Sequence, residues 1–477
     1  MVLVRRHTPE TFCAVAPHPA ALEAFRAELE ELRAATADSA LTAMIGVRTP
    51  RAFGLDDGVI LPPDEFTVGT AEAVIRSAAA ARPPLRGDLN VLVVLAEFPD
   101  RPMTRPAAEI ADLFFSTGVV PTGSVAEYFR EVSGDLVNIT GSVVGPFLLP
   151  RTLQAYANDA SGRGFVSPNG QTMARDATLA ALASINRGLD NDHNGFVDAF
   201  IIVHAGPAAE ETGLKTDIWS HKWFLEGGAL AGADGTRVFG YLTVPENSRI
   251  GVCAHELGHL LFGWPDLYDI DFTSEGIGNW CLMADGSWNG GGVAGAQPGD
   301  LPAHPSAWCK ADQGWVNVLV QRQNGTATIG DVGRTRTIFR LWKDGDARAS
   351  EYFLVENRQR NGFDRALPGD GLLIWHIDDS INGNSNENHY KVALMQADGN
   401  RDLERARNRG DAGDPFPGAG HAAFDAASTP SSSAYNGLAT SVAVTSIPAS
   451  GADMVVTLNV TGPRIGRGRV VRPVTEA

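Results

Sequence analysis

The feature that most limits how this chain can fold is the stretch GVCAHELGHLLFGWPDLYD, residues 251–269. Side chains four apart on a helix share a face, so His255 and His259 point the same way. Glu256 sits one step round the helix from them. Gly263 and Pro265 then stop the helix, because Gly takes the left-handed conformation and Pro cannot continue the hydrogen-bond ladder. Ser248, after Pro245, is the expected N-cap. A helix that presents two imidazoles and then reverses needs a surrounding domain that brings further groups to the same point.

Two imidazoles at this spacing suit one Zn²⁺, and Glu256 would stand beside the open coordination position as general base for a metal-activated water. Asp266 is the first choice as third ligand, with Asp269, Asp271 and Glu275 as competitors. The opposing reading is a helix whose histidines are satisfied by hydrogen bonds. Downstream, GIGNWCLMADGSWNGGG (276–292) carries Met283 in a Gly-rich loop, where a Met-bearing turn beneath a metal would sit. Tyr268 and His221 are possible oxyanion or cleft residues, although His221, within DIWSHKW, reads better as a satisfied core histidine.

A second oxygen-rich pattern, DNDHNGFVD (190–198), places acceptors at alternate positions with Gly195 at the sixth. Ca²⁺ loops use this spacing because Gly permits the sharp turn. Asp190, Asp192, Asn194 and Asp198 would offer side-chain oxygens and Phe196 its carbonyl. The twelfth-position Glu of an EF-hand is missing, so a structural loop is expected; a metal-free Asx-rich turn is the alternative. Asp378–Asn384 (DDSINGN) reads as an ordinary polar loop, with a second Ca²⁺ site as the lesser alternative.

At 477 residues the chain is long enough for two or three domains. Residues 1–87 form a leader with a helix over 20–35 (Leu22, Phe25, Leu29 and Leu32 on one face) and an Ala-rich helix near 71–80. The leader is either a prosegment shielding the cleft or a surface extension, and Cys13 is a candidate inhibitory thiolate, with an inert lone cysteine the heavier reading. Residues 88–320 alternate strands (89–97, 136–144, 199–204) with helices (the capping box at Ser124–Glu127, then 171–186). Residues 321–460 are β-rich, with strands at 335–341, 352–356, 372–377, 390–396 and 454–460 and His376 as a core or inter-domain histidine. Residues 461–477 are a basic, disordered tail. The fold class expected is α+β: a zincin/metzincin-like catalytic domain with a C-terminal β-sandwich-like module.

A formal net charge of −17 argues against a general nucleic-acid binder and suits carboxylate sites for hard cations. No run of 18 apolar residues is present, so no membrane span is expected. No secretory h-region is visible at the N-terminus. The four cysteines are too scattered for a disulfide framework, and buried thiols are expected, with a Cys281–Cys309 pair as the alternative.

HELGHLLFGWPDLYD, NWCLMADGSW and PSAWCKADQGW (305–315), together with SVAEYFREVSGDL, DNDHNGFVDAFIIVHAG, EYFLVENRQRNGFDRALPGDGLLIWHID and YKVALMQADG, resemble the immune inhibitor A family of bacterial metallopeptidases over residues 88–460. The resemblance implies secreted zinc endopeptidases with a prosegment and bound calcium, acting on proteins or peptides. It implies His255 and His259 as zinc ligands, Glu256 as general base and Met283 as the Met-turn residue. The chain departs from the metzincin pattern at Phe262, an extra residue before Gly263, which leaves the third ligand open. The function expected is that of a zinc-dependent endopeptidase. The alternatives are a catalytically silent peptidase fold used for binding or adhesion, and an intracellular zinc hydrolase.

Overall fold

The computed structural model describes residues 13–35, 65–68, 70, 74 and 82–462. The Ala-rich helix near 71–80 lies largely outside them, as does nearly all of the 461–477 tail. A mixed six-stranded sheet anchors the first half. Its strands are β1 (Cys13–Ala14), β2 (Gly87–Glu97), β3 (Val137–Leu148), β4 (Phe200–His204), β5 (His221–Phe224) and, after a small hairpin of β6 (Leu230–Ala231) and β7 (Arg237–Val238), β8 (Gly240–Pro245). They lie in the order β1-β5-β8-β4-β2-β3. β3, β2, β4 and β8 run parallel, whereas β5 and β1 are antiparallel additions at one edge. The unbroken apolar run in β2 follows from this order: Val91–Ala96 is a central strand buried on both faces.

Helix α1 (Pro19–Ala35) belongs to the leader. It is followed by α2 (Ala107–Phe115), α3 (Val125–Ser133), α4 (Gly170–Ala180), α5 (Ile250–Phe262) and α6 (Ala307–Asp312). The capping box at Ser124 and Glu127 closes as its sequence spacing dictates, the hydroxyl accepting from the Glu127 amide and the carboxylate from the Ser124 amide. α4 stops earlier than its periodicity suggests, at Ala180. α5 begins after Arg249 with no side-chain cap, not at Ser248. The amide of Gly251 is satisfied across the fold by the Gly299 carbonyl at 2.9 Å, so the helix needs no local cap.

The second half holds two sheets. One contains β9 (Asn317–Val320), β11 (Thr337–Leu341), β12 (Glu351–Arg358), β13 (Gly371–Asp378) and β14 (Val392–Leu394) in the order β14-β13-β12-β11-β9. The other contains β10 (Gly325–Gly330), β15 (Ala423–Phe424), β16 (Ala443–Thr445) and β17 (Asp453–Asn459). Side chains alternate across a strand. On β12 and β13, Phe353, Val355, Leu372 and Ile374 enter a core shared with Met454, Val456 and Leu458 of the second sheet. The alternate residues Tyr352, Leu354, Leu373, Trp375 and Ile377 join the main core of the first half. This two-sided burial is why LLIWHI (372–377) shows no polar alternation. His376 is buried on β13, bonded to Glu351 and stacked on Tyr435 at 4.0 Å. In the 378–384 loop, Asp378 accepts from Ser380 and Asn384 donates to Leu267 and Val392, so these side chains hold the loop together. None of the four cysteines is in a disulfide, and all are buried. No described helix is long and apolar enough to cross a membrane.

Candidate active site

Helix α5 is buried along its whole length and packs on β8 and on the neighbouring strands β5 and β1 of the first sheet. Two glycines explain how closely it fits. A Cβ on Gly251 would stand 1.9 Å from the Ser287 carbonyl, and one on Gly258 2.7 Å from Met283 Sδ. Gly258 therefore lets Met283 lie directly against the His-Glu-x-x-His turn. The backbone at Met283 also steadies the segment beyond the helix, with the Leu267 amide donating to the Met283 carbonyl at 2.7 Å.

His255 and His259 come together as the helical spacing requires, with their Nε2 atoms 3.0 Å apart. His255 Nδ1 faces the Leu282 carbonyl at 2.9 Å, and His259 Nδ1 faces the Trp264 carbonyl at 2.5 Å. A carbonyl oxygen only accepts, so each Nδ1 carries the proton and each Nε2 presents a lone pair. Burial lowers the His259 pKa to about 4, which keeps its ring neutral.

Asp266 completes the group. Its Oδ1 lies 3.2 Å from His255 Nε2 and 3.1 Å from His259 Nε2, yet neither carboxylate oxygen receives a hydrogen bond. Three buried acceptors thus face one another with no donor between them, which a cation at their centre would resolve. Ligands about 2.0–2.1 Å from a tetrahedral Zn²⁺ stand roughly 3.3 Å apart, so these side chains fit that ion. The extra residue Phe262 is absorbed by prolonging the helix before Gly263 takes the left-handed conformation at φ 66°. Phe262 itself packs against Phe129, Trp264 and Trp315. Asp269 and Asp271 are occupied with Thr273 and Ser274, and Glu275 with Arg26, away from the imidazoles.

Glu256 is fully buried. Burial, with the neighbouring charges of Asp266 and Glu210, pushes its carboxyl well above the usual carboxylate range, against the pull of the Val15 amide and Lys222. A carboxyl of raised pKa suits a group that must accept a proton and then release it. Its Oε1 accepts from the Val15 amide at 2.8 Å, and its Oε2 is buried without a partner. Tyr268 projects its hydroxyl at the Ala14 carbonyl, 2.9 Å away. His221 does not offer its ring to this space. Its Nδ1 bonds the Trp219 carbonyl at 2.6 Å and its Nε2 the Tyr241 hydroxyl at 2.9 Å, within the wall of the sheet.

The DNDHNGFVD loop gathers one carboxylate oxygen each from Asp190, Asp192 and Asp198 within 4.8 Å of one another. Asp190 accepts from the amides of Asn194 and Gly195, both at 2.9 Å, and Gly195 takes φ 90°. Asn194 uses its Oδ1 for the Phe196 amide, and the Phe196 ring lies under Arg237. Arg82, just before Pro83 and Pro84, reaches in to pair with Asp192 at 2.5 Å and with Asp198. Burial still raises the Asp198 pKa to about 6. Nothing in the local sequence around Arg82 announces this contact, which is made 110 residues away in sequence.

The family model described as the immune inhibitor A peptidase M6 catalytic domain matches residues 111–316. Immune inhibitor A of Bacillus thuringiensis subsp. alesti is 32% identical over 231 residues, 40% of this chain and 33% of that one. Pre-pro-metalloprotease PrtV of Vibrio cholerae serotype O1 (strain M66-2) is 30% identical over 276 residues, 46% of this chain and 29% of that one. The chain spans about a third of the length of these curated relatives. His255, Glu256, His259, Asp266, Met283 and the loop at 190–198 all fall inside the family match. Over residues 111–316 the chain is therefore similar to the immune inhibitor A peptidase family M6.

Proposed function

We propose that this chain is a zinc-dependent endopeptidase acting on proteins or peptides, with His255, His259 and Asp266 as the zinc ligands. The observation that carries this reading is the convergence of two Nε2 lone pairs and Asp266 Oδ1 at 3.0–3.2 Å, all buried and without a donor. When bound, zinc would polarise the scissile carbonyl and lower the pKa of a water molecule. Glu256 takes that water's proton at its carboxylate and returns it to the leaving nitrogen. The Tyr268 hydroxyl, already aimed at a backbone carbonyl, is placed to donate to the developing oxyanion. Leu282 and Trp264 hold the two imidazoles in the ligating tautomer through their carbonyls. Met283, against Gly258, forms the apolar floor.

The loop at 190–198 is proposed as a structural Ca²⁺ site, and secretion is proposed from the likeness to the named relatives. Metal analysis of the purified chain, paired with a casein assay with and without a zinc chelator, tests the reading. One zinc per chain and chelator-sensitive hydrolysis are expected. Glu256→Gln should keep its zinc and lose turnover, whereas Asp266→Ala should lose zinc affinity by more than the roughly 10–100-fold that removing a supporting residue costs. Chelator-insensitive hydrolysis, or full activity in Glu256→Gln, would overturn it.

A further inference from the structure

We propose that residues 13–16 are a latency plug, lying in the substrate cleft as an added strand with Cys13 Sγ as the fourth zinc ligand. The inference rests on the zinc reading of the site. Cys13 Sγ, a ring nitrogen of His259 and a carboxylate oxygen of Asp266 all lie within 4.8 Å of one another, and all three residues are buried. Both Asp266 oxygens and Glu256 Oε2 are buried without hydrogen-bond partners beside it. Soft thiolate and imidazole with one carboxylate is a donor set that closes a tetrahedral zinc site.

The backbone around Cys13 is held as a peptide ligand would be held. β1 pairs antiparallel with β5, placing Cys13 opposite Lys222 and Ala14 opposite His221. Beyond that pairing, four side chains each address one backbone group of the segment. Tyr268 Oη donates to the Ala14 carbonyl (2.9 Å), Trp219 Nε1 to the Val15 carbonyl (3.0 Å) and Trp288 Nε1 to the Ala16 carbonyl (2.7 Å). Glu256 Oε1 accepts from the Val15 amide. The segment's own side chains, Ala14, Val15 and Ala16, are small and apolar, so it is recognised through its main chain. Sheet-edge recognition of extended peptides works in this way, and a substrate entering here would need the same donors and the same edge. The leader is anchored further along by Phe25 against Trp219 and by Arg26 on Glu275.

The plug blocks the reaction at three points. The thiol gives up its proton to solvent as it ligates, and the thiolate takes the coordination position a water would otherwise hold. The Val15 amide engages Glu256. The strand fills the edge. Activation requires the segment to leave, with water replacing the sulfur.

The test uses the full 477-residue chain loaded with Co²⁺ in place of zinc. Visible cobalt bands report the metal in its site, and a near-ultraviolet thiolate-to-cobalt charge-transfer band reports the sulfur. The wild type should show both. Cys13→Ser should keep the visible bands, lose the charge-transfer band, and cleave an external quenched peptide faster once zinc is restored. Cys253→Ser, in a cysteine of the same helix as the histidines, should keep both bands. X-ray absorption of the unmutated zinc protein gives an answer independent of any variant, with one sulfur expected at about 2.3 Å. Cobalt bound without the charge-transfer band, or no sulfur around zinc, overturns the plug and leaves the zinc reading standing. A chain that binds neither metal overturns both.

Discussion

The Val15 amide donates to Glu256 Oε1 at 2.8 Å, joining the leader to the centre of helix α5 across 241 positions. Replacing Val15 with Pro removes that donor while keeping an extended backbone. An intramolecular hydrogen bond contributes about 0.5–1.5 kcal/mol net, so the balance between seated and released leader should shift roughly 2–10-fold. The expected outcome is a higher kcat/KM on an external peptide, and unchanged kinetics would count against the leader acting through Glu256.

Arg82 sits as a monovalent cation among Asp192 and Asp198, where the 190–198 loop would hold calcium. Arg82→Gln should therefore tighten Ca²⁺ binding, measured by calorimetry. Calcium at about 100 times its Kd would stabilise the fold by ~2.7 kcal/mol, a few degrees in Tm. Asp190→Ala should abolish that shift. A Tm indifferent to calcium in both wild type and Arg82→Gln would rule the loop out as a calcium site.

Lys310 on α6 and Glu356 on β12 form a fully buried pair at 2.6 Å, and Arg358 and the Trp375 indole also bond Glu356. This pair ties the first half of the chain to the C-terminal sheet. Glu356→Leu leaves the Lys310 ammonium buried without its carboxylate and should cost about 3–5 kcal/mol in denaturant unfolding. The double variant Lys310→Met/Glu356→Leu should recover most of that loss, because no lone charge remains.

His204 ends the buried strand β4, and burial lowers its pKa from 6.5 to about 4. Between those values the unfolded chain binds a proton there and the folded chain does not, so stability falls as pH drops from about 6.5 towards 4. The full shift corresponds to ~3 kcal/mol. His204→Gln should flatten this part of the stability profile relative to wild type, whatever it does to stability at pH 8. An unchanged slope would place the acid sensitivity elsewhere.

Local patterns were legible in the chain because their physics is local. The His255/His259 face follows from helical period, the Ser124 capping box from a three-residue spacing, and the strand at 87–97 from an unbroken apolar run. Periodicity also places the strands of the second half, but it cannot say what each face meets. Tyr352 and Phe353 are neighbours that enter different cores. For the same reason the DIWSHKW cluster does not reveal whether His221 opens on a cleft, and the structure closes its ring onto Trp219 and Tyr241.

By itself the sequence determined the helical face shared by His255 and His259, the oxygen spacing at 190–198, the likeness to the immune inhibitor A family and the broad α+β class. Tertiary structure alone decided which of Asp266, Asp269, Asp271 and Glu275 meets the imidazoles, because the extra helical residue Phe262 and the left-handed turn at Gly263 set the direction in which the chain leaves the helix. It also decided that Cys13 stands beside His259 and Asp266. That proximity depends on a strand pairing between residues more than 200 positions apart, and no spacing in a linear chain encodes such a pairing.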